Sequence, residues 1–259
     1  MSFDKSSKEK RGGTRNSVAI ILAAGRGIRL RPLSDASPKC LIPVGEFSIL
    51  YRQIKSLQTH GIKKIILVVG FMAEKIKRYT EEAFPDLKIQ FVYNHQFEVT
   101  NTIYSLALAA KTVMPGTEVF LLNGDVVFDP NIISLLQNAE CDESYVAAQM
   151  GLCTEEEIKI ELASDKSVAR LSKKIPPTRA IGEAIGINKF SPKFFIELKK
   201  SLKSLKDAYP MEYFEYAVEH VLNSGAKIYP LDIKELKAIE VDFLDDLNRA
   251  RNEVLPFLS

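Results

Sequence analysis

The feature that most constrains this chain is an apolar, β-branched-rich run, Val18 to Leu22, that opens directly into Ala23-Ala24-Gly25-Arg26-Gly27. A strand that is apolar at consecutive positions is buried on both faces, which places it inside a layered α/β domain. The residues after it carry little side chain, so backbone N–H groups can approach an anion and form a concavity around it. Arg26, Arg29, Arg31 and Lys39 gather positive charge about the same opening, and guanidinium forks match phosphate oxygens well. The combination reads as a triphosphate-binding loop. An ordinary strand-to-helix turn with solvated arginines would account for a lone glycine pair but not for the cations beside it.

Two familiar phosphate loops are excluded. The dinucleotide fingerprint needs a third glycine where Leu30 stands, and the P-loop needs a Gly-Lys-Ser/Thr that is absent. The missing glycine also removes a nicotinamide-dependent oxidoreductase.

Downstream, strand-like and helix-like segments alternate, the pattern of an α/β fold with a mostly parallel sheet and crossover helices. Helices are predicted at 49–58 and 73–83, and one capped by Thr100 running to Lys111; strands are predicted at 64–69, 88–93 and 118–122. The second half predicts strands at 144–149, 158–162, 168–171, 181–188, 226–230 and 237–241. Its helices are predicted at 192–205, 211–223 and 243–253. Residues 1–16 are polar and charged, without the apolar core of a secretory signal, and read as a disordered tail before a single domain over 17–259.

With 46% hydrophobic residues in 259, the chain can bury one large core. A net charge of +2, with basic residues spread among 33 acids, predicts no nucleic-acid partner. Apolar runs fall far short of the roughly 20 residues needed to span a bilayer, so no membrane association is expected. Cys40, Cys141 and Cys153 show neither disulfide nor zinc spacing, which fits a reducing cytoplasm. His60, His95 and His220 form no triad-like or metal-like arrangement.

Leu22-Ala-Ala-Gly25-x-Gly27-x-Arg29-Leu30 with Pro38-Lys39 resembles the signature of the nucleotidyltransferases that make NDP-sugars and CDP-alcohols. The likeness continues through Leu41-Ile-Pro43-Val44-Gly45, Asn123-Gly124-Asp125 and Glu240-Val-Asp242, from Val18 to about Arg251. It implies a Rossmann-like nucleotidyltransferase fold, with a mixed, mostly parallel central sheet flanked by helices and a smaller β-rich acceptor-binding elaboration. It assigns Leu22, Ala23, Ala24, Gly25, Gly27, Arg29, Lys39, Gly70, Asn101, Ser105 and Gly124 to the nucleotide, with Arg29 and Lys39 as the catalytic cations.

Asp125 and Asp242 each follow a buried strand-like segment. A tight-turn aspartate would explain either alone. A fold that brings both strand ends to one edge would give two hard oxygen ligands beside the triphosphate, an environment that suits Mg2+. The resemblance implies that these are the family's metal aspartates, with Glu240 near them. The reaction it implies is in-line attack by an acceptor phosphate oxygen on the α-phosphorus, with pyrophosphate leaving and no strong general base required.

Asn101-x-x-x-Ser105-Leu106, Gly182-Glu183-x-x-Gly186-Ile and Met211-Glu212-Tyr213 resemble elements of the cytidylyltransferases that act on phosphocholine, aminoethylphosphonate or inositol phosphate. This points to CTP as the nucleotide and to Lys173, Glu183 and Glu212 as acceptor-binding. The alternatives are a sugar-1-phosphate enzyme using UTP, dTTP or GTP, and a non-catalytic nucleotide-sensing subunit. Retention of Arg29, Lys39, Asp125 and Asp242 together argues against the sensor. A homodimer is compatible with the resemblance.

Overall fold

The computed structural model describes residues 16–258, so the expected tail lies, but for Asn16, outside the described residues. In chain order the elements are β1 (Ser17–Ala23), the single-turn α1 (Leu33–Ala36), the hairpin strands β2 (Pro43–Val44) and β3 (Phe47–Ser48), α2 (Ile49–Thr59), β4 (Ile65–Val69), α3 (Ala73–Ala83), β5 (Ile89–Tyr93) and α4 (Thr102–Ala110). There follow β6 (Glu118–Asn123), β7 (Val126–Phe128), α5 (Asn131–Asn138), β8 (Tyr145–Met150), β9 (Lys159–Leu162), β10 (Val168–Ser172) and β11 (Gly182–Phe190). The chain ends through α6 (Pro192–Leu205), α7 (Phe214–Leu222), β12 (Tyr229–Asp232), β13 (Ala238–Glu240) and α8 (Leu244–Arg249).

Strand β1 lies between β4 and β6, parallel to both, and β5 extends the parallel half beyond β4. Strand β11 turns the sheet mixed. One of its edges pairs antiparallel with β8. The other is shared, its first residues with β9 and Ile187–Phe190 with β6. The sheet therefore forks at β11, and a cleft opens between the β9–β10 arm and the carboxyl ends of β1 and β6. That edge is where ligands bind in open α/β sheets.

Alternation along β1 explains the layers. Val18, Ile20 and Leu22 pack with residues of α4, α6 and α7, whereas Ala19, Ile21 and Ala23 pack with α2, α3 and α5. A third, smaller apolar cluster joins Leu30, Ile42 and Ile49 to Val127, Val241 and Leu247. It ties the glycine loop to segments far along the chain.

Several boundaries differ from the sequence expectation for identifiable reasons. The cap of α4 is Asn101, whose side chain accepts from Thr102 N–H, while the Thr100 hydroxyl donates to Gln96 C=O. Helix α7 begins at Phe214 rather than Met211, because the Pro210 and Glu212 carbonyls accept from the Asn101 and Ile103 N–H groups. Strand β12 starts at Tyr229 rather than Ala226, where its partner β8 begins. The last predicted helix ends at Arg249 and continues as a π turn through Val254. Helix α5, with Ile132, Ile133 and Leu136 buried, has no counterpart in the sequence expectation. No helix among the described residues is long and apolar enough to cross a membrane.

Candidate active site

The two aspartates are brought together by backbone pairing. Strand β6 delivers the chain to Gly124, whose N–H donates to Leu22 C=O, and Asp125 follows. Strand β7 then pairs antiparallel with β13, Glu240 opposite Val126, and Val241 N–H donates to Asp125 C=O at 3.0 Å. Asp242 is thereby placed beside Asp125 and next to the loop. A methyl group on Gly124 would lie 2.6 Å from the Leu22 carbonyl oxygen, which belongs to the central strand and cannot swing aside. Gly124→Ala is therefore expected to lower stability by about 1–3 kcal/mol, read as a reduced denaturant midpoint.

Four charges meet where these segments converge. Lys39 Nζ donates to Asp125 Oδ2 at 2.6 Å and to Asp242 Oδ1 at 2.5 Å, and Arg29 reaches Asp242 Oδ2 at 2.8 Å. The arginine also lies over the Phe243 ring, 5.1 Å from its centroid. Burial works to lower the Lys39 pKa, but attraction and hydrogen bonding from Asp125 and Asp242 outweigh it and hold the ammonium above its ordinary value. Burial likewise works to raise Asp242, and Lys39, then Arg29 and Lys173, hold its carboxyl below the usual range. Asp125 Oδ1 is buried without a hydrogen-bond partner, a hard oxygen left free beside the cationic loop. Neighbouring Cys40 is buried and its thiol is pushed up to about 12 by that burial, so it is no nucleophile.

Two further carboxyls line the same cleft, whose volume is about 310 Å3. Glu240 accepts from Asn123 Nδ2 at 3.0 Å, and burial, followed by repulsion from Asp125, pushes it up to about 7. Gly186, at φ +69, leaves room for this pair, since a side chain there would meet both Glu240 Oε1 and Asn123 Nδ2 within 3 Å. Glu215, in the first turn of α7, is pushed up to about 8, chiefly by burial. Below about pH 4.5 the Glu215 carboxyl is protonated in folded and unfolded chains alike. From there to about pH 8 only the unfolded chain ionises, so stability falls as pH rises, by up to about 1.4 kcal/mol per pH unit for this group. Glu215→Gln should flatten that slope in thermal melts between pH 5 and 8, leaving the smaller Glu240 contribution.

Of the residues expected from the sequence, Leu22, Ala23, Gly25, Gly27, Arg29, Lys39, Asn101, Gly124, Asp125, Lys173 and Asp242 line this cleft together. Others sit outside its lining. The Ala24 carbonyl accepts from Phe71 N–H, and Gly70 packs behind it against Phe97. Ser105 is buried inside α4, where its hydroxyl accepts from Asn94 Nδ2. Glu183 lies in an adjoining cavity of about 380 Å3 that shares Arg29, Lys173, Glu240 and Asp242 with the cleft, and its pKa is raised by burial and by Glu157. Glu212 lines neither cavity; its carbonyl serves the start of α4. Sequence reasoning missed Glu215, and from the segment Met211-Glu212-Tyr213 it took Glu212 where the cleft is lined by Tyr213. The signal was there: Glu215 falls three residues before Val218 on a buried helical face, an unusual position for an acid.

The family model described as Nucleotidyl transferase matches residues 18–227. A CMP-5'-(3-aminopropyl)phosphonate synthase of Streptomyces rubellomurinus is 37% identical over 134 residues, 52% of this chain and 21% of that protein. The mannose-1-phosphate guanylyltransferase catalytic subunit beta of Drosophila melanogaster is 34% identical over 126 residues, 48% of this chain and 33% of that one. The chain thus spans a third or less of the length of these curated relatives. Among solved structures, the inositol-1-phosphate CTP transferase of T. maritima superposes with a TM-score of 0.78 at 19% identity, covering 95% of this chain and 97% of that one, a likeness of fold. With the glycine loop, both aspartates and the mixed sheet arranged as described, and the family match running from β1 into the approach to β12, this chain belongs to the nucleotidyl transferase family.

Proposed function

We propose that this protein transfers a cytidylyl group from CTP to a small phosphorylated alcohol or phosphonate, releasing pyrophosphate, with Mg2+ as cofactor. The observation that carries this reading is the meeting of Lys39, Arg29, Asp125 and Asp242 at the mouth of the glycine loop. An acceptor phosphate oxygen forms the new bond to the α-phosphorus, and the bond from that phosphorus to its β-bridging oxygen breaks, its electron pair leaving with pyrophosphate. The nucleophile is already anionic, which is consistent with a site whose polar groups are cations, carboxylates and amides rather than a His-based relay. Backbone N–H groups of the loop would cradle the phosphates, and Arg29 and Lys39 would compensate charge as it builds on their oxygens.

Asp125 and Asp242 would hold the Mg2+. The partnerless Asp125 Oδ1 fits that role, and two carboxylates plus substrate phosphates are a usual magnesium environment. When bound, the ion supplies neutralisation of the polyphosphate. Among the described residues no group of three or more His, Cys, Asp or Glu is placed to bind a metal by itself, as expected if the nucleotide completes the coordination. The spacing of the three cysteines, neither disulfide-like nor zinc-like, supports a reducing compartment, the cytoplasm.

CTP is favoured because the Streptomyces relative is a CMP-5'-(3-aminopropyl)phosphonate synthase and the T. maritima neighbour an inositol-1-phosphate CTP transferase. The guanylyltransferase relative supports a second reading, a sugar-1-phosphate enzyme using GTP, UTP or dTTP. Incubating the protein and Mg2+ with each NTP against amino-alcohol phosphates, phosphonates, polyol phosphates and sugar 1-phosphates, while recording pyrophosphate, decides among them. Release with CTP and a small acceptor is expected. Release only with a sugar 1-phosphate selects the second reading, and nucleotide binding without release for any pair indicates a sensing subunit.

A further inference from the structure

Helix α2 buries the stripe Ile49, Leu50, Ile54 and Leu57, and at the place in that stripe where a helical period calls for another apolar residue the chain has Gln53. The glutamine is 1% exposed, lines neither cavity described above and has no role in the reaction as derived so far. Its Nε2 donates to two carbonyls at once, Asn123 C=O at 2.8 Å and Val126 C=O at 2.9 Å. These residues bracket Gly124 and Asp125.

The sheet serves neither carbonyl. Asn123 stands one residue beyond the last β6–β11 pair, Leu122 with Ile187, and the Gly124 N–H goes to β1, so the Asn123 backbone faces the side from which β11 has turned away. Along an antiparallel ladder, bonded and unbonded pairs alternate. Asp125 and Val241 share a bond, so Val126 and Glu240 do not, and the Val126 C=O points to an edge of β7 that no other strand covers among the described residues. One amide NH2 has two hydrogens, and both are used. Satisfying buried carbonyls is a structural role, and Gln137 performs it outside the cleft, donating to His60 C=O at 2.9 Å. Gln53 differs in what it holds. The turn it closes is tied to Leu22 C=O through Gly124 N–H and to β13 through Val241 N–H, and it carries the Asp125 Oδ1 that has no partner. The same helix begins with Ile49 N–H donating to Ile42 C=O at 3.2 Å, in the segment that carries Lys39. Helix α2 therefore joins the lysine segment to the aspartate turn through one rigid element and sets the spacing between the two side chains.

We propose that Gln53 is a positioning residue for Asp125: its bridging amide fixes the turn so that the free carboxylate oxygen is presented to a divalent cation. This rests on the nucleotidyltransferase reading of the cleft and deepens it. Groups that orient metal ligands typically contribute about ten- to a hundredfold to metal affinity or activity.

The probe is Mn2+, titrated with a non-hydrolysable CTP analogue present and read by the paramagnetic signal of the free ion, so that binding is measured apart from turnover. Wild type is expected to bind it at a site lost in Asp125→Asn. Gln53→Met, which fills similar space and leaves both carbonyls without this donor, is expected to weaken Mn2+ by about tenfold or more and to slow single-turnover pyrophosphate release as much, with the acceptor KM within about twofold of wild type. Gln53→Glu, equal in length but with one donor hydrogen at most, should weaken Mn2+ by about threefold or more, and it carries the test if the Met variant folds poorly. Gln137→Met removes a similar bond away from the cleft; its melting temperature should fall while Mn2+ affinity stays unchanged. In wild type itself, the Gln53 side-chain amide resonances should shift when Mg2+ and the analogue bind, and should not in Asp125→Asn. Unchanged Mn2+ affinity in the Gln53 variants, an equal loss in Gln137→Met, or a Gln53 amide indifferent to the metal overturns the proposal. Pyrophosphate release reports separately on the reaction: a metal loss specific to Gln53, without release from wild type for any nucleotide and acceptor, keeps Gln53 and sinks the transferase reading. Release from wild type, with unchanged metal affinity in the Gln53 variants, does the reverse.

Discussion

Lys39→Met is expected to slow pyrophosphate release by two to three orders of magnitude, the usual consequence of removing one preorganised charge donor, corresponding to about 2.7–4 kcal/mol of transition-state stabilisation. The side chain is only 13% exposed, and its aliphatic stem packs across Gly27, so methionine can follow the same path without the charge. What remains are two carboxylates facing one site, Asp242 still paired with Arg29 but Asp125 without a cation. Breaking a fully buried pair costs about 3–5 kcal/mol; with the carboxylates still about a quarter exposed, solvent screening reduces this to about 1–3 kcal/mol here. Added Mg2+ should raise the melting temperature more in the variant than in wild type, because the wild-type ammonium already neutralises the carboxylates. Single-turnover kinetics and metal-titrated melting curves check both parts. An unchanged chemical rate would remove Lys39 from the reaction.

Asp242→Asn is expected to lower the rate by a hundredfold or more, and the double variant with Asp125→Asn should lose little beyond either single change. Groups that act as a unit show this non-additivity. Here the unit is physical, since one ammonium nitrogen touches both carboxylates and the Val241 N–H ties their backbones. Additive losses would mean that the two act independently. The acid limb of the stability curve gives a second reading. The Asp242 carboxyl is held below its ordinary pKa in the folded chain, so its contribution is present above the unfolded value and is lost as pH falls through the folded one. The Asn variant should therefore show a flatter acid limb below about pH 4.

Much of the parallel half is legible in the sequence, because β1, β4 and β6 each carry at least four consecutive apolar residues and helices alternate with the strands at close spacing. Val18 to Leu22, Lys64 to Val69 and Ala73 to Ala83 fall within a residue of the observed elements. The second half is less legible, since its strand limits depend on partners: β12 begins where β8 begins, and β11 serves β8 on one edge and β9 and β6 on the other. Helix α5 escapes notice because it is only eight residues long, too short for the spacing of its buried Ile132, Ile133 and Leu136 to establish a helical period.

At the site, the loop is evident from its own chemistry, glycines and cations crowded beside a buried strand. Ser105 cannot be told from a cleft residue by sequence, because a hydroxyl one turn into a helix has the same local surroundings in the chain whether it faces ligand or core. Glu215 goes unread for the converse reason.

The order of residues alone determined that a turn rich in glycine and cations follows a buried strand and that two aspartates stand at strand ends, because apolar runs, glycines and charge are local properties. Only the tertiary structure decided that those aspartates share one lysine and that Glu215 lines their cleft. Residues 39, 125 and 242 meet through the β7–β13 pairing and the apolar cluster beneath it, and such contacts between distant segments leave no periodic trace in the chain.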